Sequence, residues 1–395
     1  MQTKAKSKII RFIHFWGLRL GLICMGCVLA LAGLEIGLRI FWHPELAVWQ
    51  RNLDVIIPLD PDVTIGVAGP AHIVTSSRGI RGAEWSSDRS SEYRILVIGA
   101  SNARSLLQDQ PNTWPALLQT RMPATADGRS VWVGNVGGGG YNSRHFVLAM
   151  RYMLDQYDPD TVIVSTGNDA GLARDEGAAY DPFFIDNDEK MRGLAWDFAE
   201  RPASLMISDR ISVHHTYLWF FTREFMARFR GAGGWRADTV ENIRDAQEAR
   251  RRASLFVDDM PDLQVGLDGY RHNLLEIIRL AREHDVHLVF LTMPSLYKPI
   301  MSQEETDRPW AGWAGDRDLN VYWSPRVMAE SRDAFNRELL DVCATEGVDC
   351  LDLAARLPQT TDVFWDHSHF TDYGSSLVAD ELVQFFESYF EQTQR

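Results

Sequence analysis

The chain has 395 residues, 45% of them hydrophobic and 24% charged, with 40 Lys and Arg against 54 Asp and Glu for a net charge of −14. That composition excludes a wholly disordered or collagen-like chain, and the acidic balance excludes a general nucleic-acid binder, which needs cations to neutralise phosphates. The length allows two or three domains, or one large domain with insertions, and 4 cysteines are too few for a disulfide scaffold.

The charge is unevenly placed. Residues 1–43 carry Lys4, Lys6, Lys8, Arg11, Arg19 and Arg39 against Glu35, a net of +5 that leaves −19 for the rest. Leu20 to Leu34 has no charged residue, and the apolar pattern resumes after Glu35. A basic flank before such a run predicts an uncleaved signal anchor. The N-terminus would be cytoplasmic, a single helix would cross the inner membrane, and everything after residue 43 would be exported to the periplasm. Ala30-Leu31-Ala32 offers a competing reading as a signal-peptide cleavage site, but the apolar helical pattern runs on past it. Trp16 and Trp42 are expected at the two membrane interfaces, Glu35 and Arg39 as an i, i+4 pair, and Cys24 and Cys27 as small apolar fillers.

Residues 44–90 are turn-rich and poor in helical period, which predicts an extended lead-in with a hairpin. Apolar runs then alternate with helical patterns. Strands are predicted at Arg94–Ile98, Val131–Val133, Thr161–Ser165, His287–Thr292 and Cys350–Leu353. Helices are predicted at Asn112–Met122, Arg144–Tyr157, Asp268–Asp285, Pro325–Cys343 and Gly374–Phe390. Short apolar strands between helices mean a parallel sheet covered on both faces. The expected fold is a three-layer α/β sandwich with a mostly parallel sheet of about five strands, flavodoxin-like, over residues 91–395. Residues 170–265 break the rhythm and read as a helical insertion over the sheet's ligand edge. Within it, the aromatic run Tyr217–Phe229 reads as core packing rather than as a substrate wall. An exported domain allows Cys343 and Cys350 to pair.

In an open α/β sheet, ligands sit beyond the carboxyl ends of the strands. Gly99-Ala100-Ser101-Asn102 follows the first strand, Asn135 to Tyr141 with its glycine run the second, and Gly167-Asn168-Asp169 the third. Asp366-His367-Ser368-His369 lies between the last strand and the last helix. These are the parts of serine acyl transfer. Ser101 offers a hydroxyl that needs a base, His369 can be that base, and Asp366, three residues earlier, can orient the imidazole within one turn. The Ser101 N–H, an N–H of the glycine run and the Asn168 amide would stabilise the developing oxyanion.

The four blocks, in this order, resemble the SGNH (GDSL-type) hydrolase superfamily. The resemblance implies Ser101 as nucleophile, Gly140 and Asn168 as oxyanion-hole donors, and Asp366 and His369 as its partners. Gly140 follows from matching Asn135–Tyr141 to the Asn-x-x-x-x-Gly pattern, with Gly137 as the fallback. Thr75 to Gly82, Leu291 to Pro294 and the opening helix ending in Leu-Glu-Ile-Gly-Leu-Arg are also similar to membrane-anchored bacterial members. One departure is Gly-Ala-Ser-Asn in place of Gly-Asp-Ser-Leu, which removes polar support near the turn but no catalytic group.

Bland readings stand beside these. A serine at a turn is often only a helix cap. The glycine run resembles a dinucleotide loop, but no strand-ending acid follows about 20 residues on, since Asp158 and Asp160 precede the next strand. Asp366, His367 and His369, or His214-His215, lack the i, i+4 helical pair or cysteine partner of a zinc site, so no metal and no cofactor is expected. The function expected is a membrane-tethered, exported serine esterase or acylhydrolase acting on an ester-bearing small molecule, lipid or polysaccharide. An O-acyltransferase acting on envelope polysaccharide would use the same nucleophile, and a binding protein of the same fold is the non-catalytic alternative.

Overall fold

The structure is a computed structural model that describes residues 2–41, 48–49, 51–177, 216–227, 239–315 and 320–393. Trp42, His214 and His215 lie outside these residues, as does much of the 170–265 insertion. The described chain divides into two units, one of residues 1–45 with 197–231 and one holding the remainder.

The first unit contains α1 (Gln2–Phe41), whose segment Trp16–Phe41 is 26 residues long with mean hydropathy 2.1 and no buried residue. It is long and apolar enough to cross a membrane. Glu35 and Arg39 form the expected pair at 2.8 Å.

In the second unit, β1 (Asp54–Ile57) and β2 (Ala71–Val74) pair antiparallel as the lead-in hairpin. Next come β3 (Glu92–Gly99), α2 (Ser101–Arg104), α3 (Trp114–Arg121), β4 (Ser130–Asn135), α4 (Ser143–Tyr157), β5 (Thr161–Ser165) and α5 (Asp169–Glu176). The first unit then contributes α6 (Tyr217–Ala227), where the backbone N–H groups of Tyr217 and Leu218 donate to the Glu35 carboxylate. Back in the second unit follow α7 (Thr239–Arg251), β6 (Leu255–Val257), α8 (Gln264–Glu283), β7 (His287–Leu291), α9 (Gln303–Asp307) and β8 (Val321–Trp323). The chain closes with α10 (Pro325–Glu346), β9 (Asp349–Leu351), α11 (Leu353–Arg356) and α12 (Asp372–Thr393).

The main sheet has five strands in the order β4-β3-β5-β7-β9, all parallel. Alternate residues of these strands enter two layers. Ile95, Val97, Val133, Ile163, Val289 and Leu291 pack with Trp114 of α3 and with Val378, Leu382 and Phe386 of α12. Leu96, Ile98, Val162, Val164, Leu288 and Phe290, on the other face, are also buried, with α4 and α8 lying against that side. Each such side chain contributes roughly 1.5–3 kcal/mol by leaving water. The helices end where their sequences say they should. Asn142 caps α4 in a reciprocal pair with His145, and Ser324 caps α10 ahead of Pro325. Cys343 and Cys350 are disulfide-bonded, tying the end of α10 to β9.

Three features depart from the sequence-based expectation. The lead-in is integral to the domain, because Val55, Ile57, Ala71 and Ile73 share a core with Leu107, Val240 and Trp365. The insertion is not all helical, since β6 pairs parallel with β8; the two strands lie far apart along the chain and outside the strand–helix alternation. The aromatic run at 217–229 is not core packing in its described part, where Trp219, Phe221 and Phe225 are exposed.

Candidate active site

β3 ends at Gly99, and α2 starts two residues later. The Ala100 carbonyl accepts from the Ala103 and Arg104 N–H groups, and Ser105, in the left-handed region at φ 50°, ends the helix after four residues. Ser101 is therefore half-buried at the first helical position beyond the strand. The turn is pinned from position 102. The Asn102 side-chain amide donates to Ser165 Oγ at 2.9 Å at the end of β5, and the Asn102 backbone carbonyl accepts from the Trp114 indole at 3.2 Å. Ala100 is 2% exposed, so an apolar side chain fits where the related motif has an acid, and Asn102 supplies the polar support.

A second clamp holds the segment after α2. Arg81 is 1% exposed. Its Nη1 donates to the Arg104 and Ser105 carbonyls at 2.7 and 2.6 Å, Nη2 to the Gln108 carbonyl at 2.7 Å, and Nε to Gln110 Oε1 at 2.8 Å. Burial, with the Arg104 charge adding to it, pulls its pKa down to about 9, against a small opposing pull from Asp109. Sequence reasoning noticed the Ser-Arg-Gly-Ile-Arg-Gly stretch only as a resemblance, and nothing in it pointed to a clamp on the serine turn.

The glycine run after β4 lies against α2. A Cβ on Gly137 would come within 2.6 Å of the Arg104 backbone nitrogen, so this position is restricted by close approach. The N–H groups of Gly137 and Gly138 are already used, bonding to Asn135 Oδ1 and the Gly99 carbonyl. Gly140 is exposed with φ 76°, and a Cβ there would meet nothing; its backbone conformation, not space, favours glycine. Asn168 caps α5 and is exposed, and its N–H donates to the Tyr141 carbonyl at 2.8 Å. The next residue anchors this loop. Asp169 is 2% exposed and accepts from the Ser143 N–H and Oγ, and burial pushes its pKa up to about 6 against those bonds.

The fourth block folds as a tight loop. Asp366 is fully buried. Its Oδ1 accepts the N–H groups of Ser368 and His369 at 2.8 and 2.7 Å, and its Oδ2 pairs with His369 Nδ1 at 2.6 Å. The Trp310 indole N–H also donates to Oδ2, at 2.6 Å. Burial pushes this carboxyl up. His369 and His367 beside it, with the His369 and Ser368 bonds, overcome that and hold it well below the usual carboxylate range. Trp365 stacks on the His369 ring, with centroids 5.2 Å apart.

Ser101 and His369 line the same narrow cleft, with Leu106, Leu107, Trp365 and Phe370 as its apolar wall. Ser101 Oγ is not hydrogen-bonded to the imidazole in this structure. Asp366 and His369 are thus joined directly, Ser101 and His369 share a cleft, and Gly140 and Asn168 are linked through Tyr141 on a neighbouring loop outside it. The described residues hold no group of three or more His, Cys, Asp or Glu suited to a metal ion. Trp310 and Arg81 are the partners that sequence reasoning missed; they lie 56 residues before Asp366 and 23 before Arg104, where no local signal links them.

No family model matches the chain, and no curated protein matches it. Among solved structures it is similar to an acetyl xylan esterase at 10% identity, covering 73% of this chain and 97% of that one with a TM-score of 0.37. A catalytic mutant of an acetylxylan esterase from Geobacillus stearothermophilus is similar at 12% identity, with 74% and 93% coverage and a TM-score of 0.37. A psychrotrophic esterase from Pseudoalteromonas sp. is similar at 11% identity, with 76% and 99% coverage and a TM-score of 0.37. At these scores the likenesses carry no argument about chemistry, which rests on the site itself.

Proposed function

We propose that this chain is a serine esterase of the SGNH kind, tethered to a membrane by α1, that cleaves ester bonds through an acyl-enzyme. The observation carrying this reading is the buried Asp366 carboxylate bonded to His369 Nδ1 at 2.6 Å, in the cleft that Ser101 lines. With Nδ1 committed to the carboxylate, His369 presents Nε2 as the basic nitrogen.

Ser101 Oγ attacks the ester carbonyl carbon while its proton passes to His369 Nε2. The oxyanion that forms is met by the N–H groups of Ser101 and Gly140 and by the Asn168 amide, once substrate draws the Gly140 and Asn168 loop onto the cleft. Collapse breaks the bond to the leaving alcohol, which takes the proton from His369. Water then attacks the acyl-enzyme, gives its proton to His369, and releases the acid as Ser101 recovers that proton. The anionic Asp366 stabilises the imidazolium in both halves.

The basic N-terminal flank and the 26-residue apolar segment of α1 support a single-pass anchor in the inner membrane with the catalytic unit exported. Ester groups on envelope polysaccharide or lipid are the substrates that location favours. The test uses the full-length protein in detergent with a fluorophosphonate probe and short aryl esters. Wild type should label and turn over, and Ser101→Ala and His369→Ala should do neither. Absence of labelling and turnover in wild type sinks the hydrolase reading. Acyl transfer to an added sugar in preference to water would move it to an acyltransferase.

A further inference from the structure

Beside Asp366 lies a group of cations that the esterase chemistry does not use. Arg250 is 2% exposed, and its Nε, Nη1 and Nη2 have no hydrogen-bond partner among the described residues. Its guanidinium carbon sits 5.0 Å from the Phe256 ring, 5.3 Å from Tyr322 and 5.7 Å from Tyr297. Tyr297 leads back to the site, with its ring 5.9 Å from His367, and the His367 ring is 6.0 Å from His369. Arg332 is a second cation, half-buried as a residue, whose Nε and Nη1 are buried with no partner among the described residues. A third, Arg174, bonds to Asp175 and repels Arg332.

The carboxylates among the described residues do not balance this charge. Asp175 is taken by Arg174, and Asp366 is already bonded to His369, Trp310 and two backbone N–H groups. Asp333 acts on Arg332 only at a distance. An uncompensated buried cation is strongly destabilising. The rings around Arg250 offset part of that through their faces, but Arg332 has no such cage among the described residues. Arg332 instead lines a small pocket with Thr166, Gly167, Met293, Asn336 and Asp169, whose two carboxylate oxygens are taken by the Ser143 N–H and Oγ, beyond the carboxyl ends of β5 and β7. That is the edge of the sheet where the Ser101 turn and the Asn168 loop are built, and where a substrate's remote group would extend.

We propose that this pocket is an anion subsite, in which Arg332, backed by Arg250 and Arg174, takes a carboxylate or phosphate group carried by the ester substrate. The inference rests on the esterase reading for the word substrate, and the site itself stands on the arginines. A guanidinium with unmade N–H bonds forms charge-assisted bonds to an oxyanion, and a neutral sugar offers it no charge. Selectivity for acidic over neutral esters follows.

The test uses the full-length protein in detergent, with Arg332→Gln and Arg332→Lys, and two readouts. In thermal melts, methyl glucuronide or inorganic phosphate should raise the wild-type melting temperature, while methyl glucoside should not; which of the two anions acts tells carboxylate from phosphate. Arg332→Gln should weaken that binding by about tenfold or more, and Arg332→Lys should restore part of it. In turnover, the ratio of kcat/KM for p-nitrophenyl hemisuccinate to that for p-nitrophenyl acetate should fall by about tenfold in Arg332→Gln. Melts without ligand show whether each variant folds. If neither anion shifts wild type, or if Arg332→Gln binds as well as wild type, the subsite is refuted. Anion binding through Arg332 with no ester turnover would leave the subsite standing and overturn the esterase reading instead.

Discussion

Trp310 Nε1 and His369 Nδ1 meet the same oxygen of the buried Asp366 carboxylate, each at 2.6 Å. The indole N–H therefore fixes the side of the carboxylate that faces the imidazole, while two backbone N–H groups hold the other oxygen. Removing the indole N–H leaves a charged acceptor short of one donor in a place water does not reach.

Trp310→Phe should therefore cost about 1.5–3 kcal/mol of stability, the usual worth of a hydrogen bond to a charged group. It should lower kcat by about tenfold with KM little changed, because the His369 bond survives. Asp366→Asn, which loses the anion, should lower kcat by about 10⁴. Urea melts and ester kinetics on both variants check this; equal losses in the two would show that the indole does more than position the carboxylate.

Asn168 separates a catalytic role from a structural one. Its side chain is exposed and makes no hydrogen bond among the described residues, so Asn168→Ala should leave the melting temperature within about a degree of wild type. Loss of one oxyanion donor should still cut kcat by about 10²–10³. Unchanged kcat would remove Asn168 from the oxyanion hole.

Arg81 should behave in the opposite way. Arg81→Met leaves the carbonyls of Arg104, Ser105 and Gln108 without their donor in a buried site. Unfolding free energy should drop by at least ~2 kcal/mol, and kcat should fall with it as the segment after Ser101 loosens. A stable variant with full activity would show that α2 holds its place without the clamp.

His367 should make the fold sensitive to acid. Burial first, then the charges of His369, Arg332 and Arg250, lower its pKa from 6.5 to about 3, with Asp366 opposing. The folded value lies below the unfolded one, so its contribution is complete above about pH 6.5 and is lost as pH falls from there towards about 3. Asp169 works against this between pH 6 and 4, because its folded pKa is raised to about 6 and the fold gains as it takes up its proton. The His367→Asn variant isolates the first effect: its melting temperature should fall less than wild type's between pH 7 and 4. Parallel curves would refute the assignment.

The five strands were legible because the buried part of each is a short, largely apolar run that stands out against amphipathic helices. Thr161–Ser165 matches the observed strand at both ends. Asp366 and His369 were legible because they are three residues apart, and one turn of chain suffices to bond them. The pairing of β6 with β8 was not, since its partners, Leu255 and Val321 among them, lie far apart along the chain and outside the strand–helix alternation. The exposure of Trp219, Phe221 and Phe225 was hidden too, because an aromatic run reads the same whether it meets protein or solvent.

Sequence alone determined the layer order of the fold, the apolar helix at the N-terminus and the residue types available for acyl transfer, because these depend on local pattern and on spacing along the chain. Only the tertiary structure decided that Arg81 grips the loop after Ser101, that Trp310 completes the Asp366 carboxylate, and that three arginines gather around Tyr297. Each of these depends on which distant segments share a buried volume. There, unmet hydrogen-bonding groups and unpaired charges are costly enough to select their partners from anywhere in the chain.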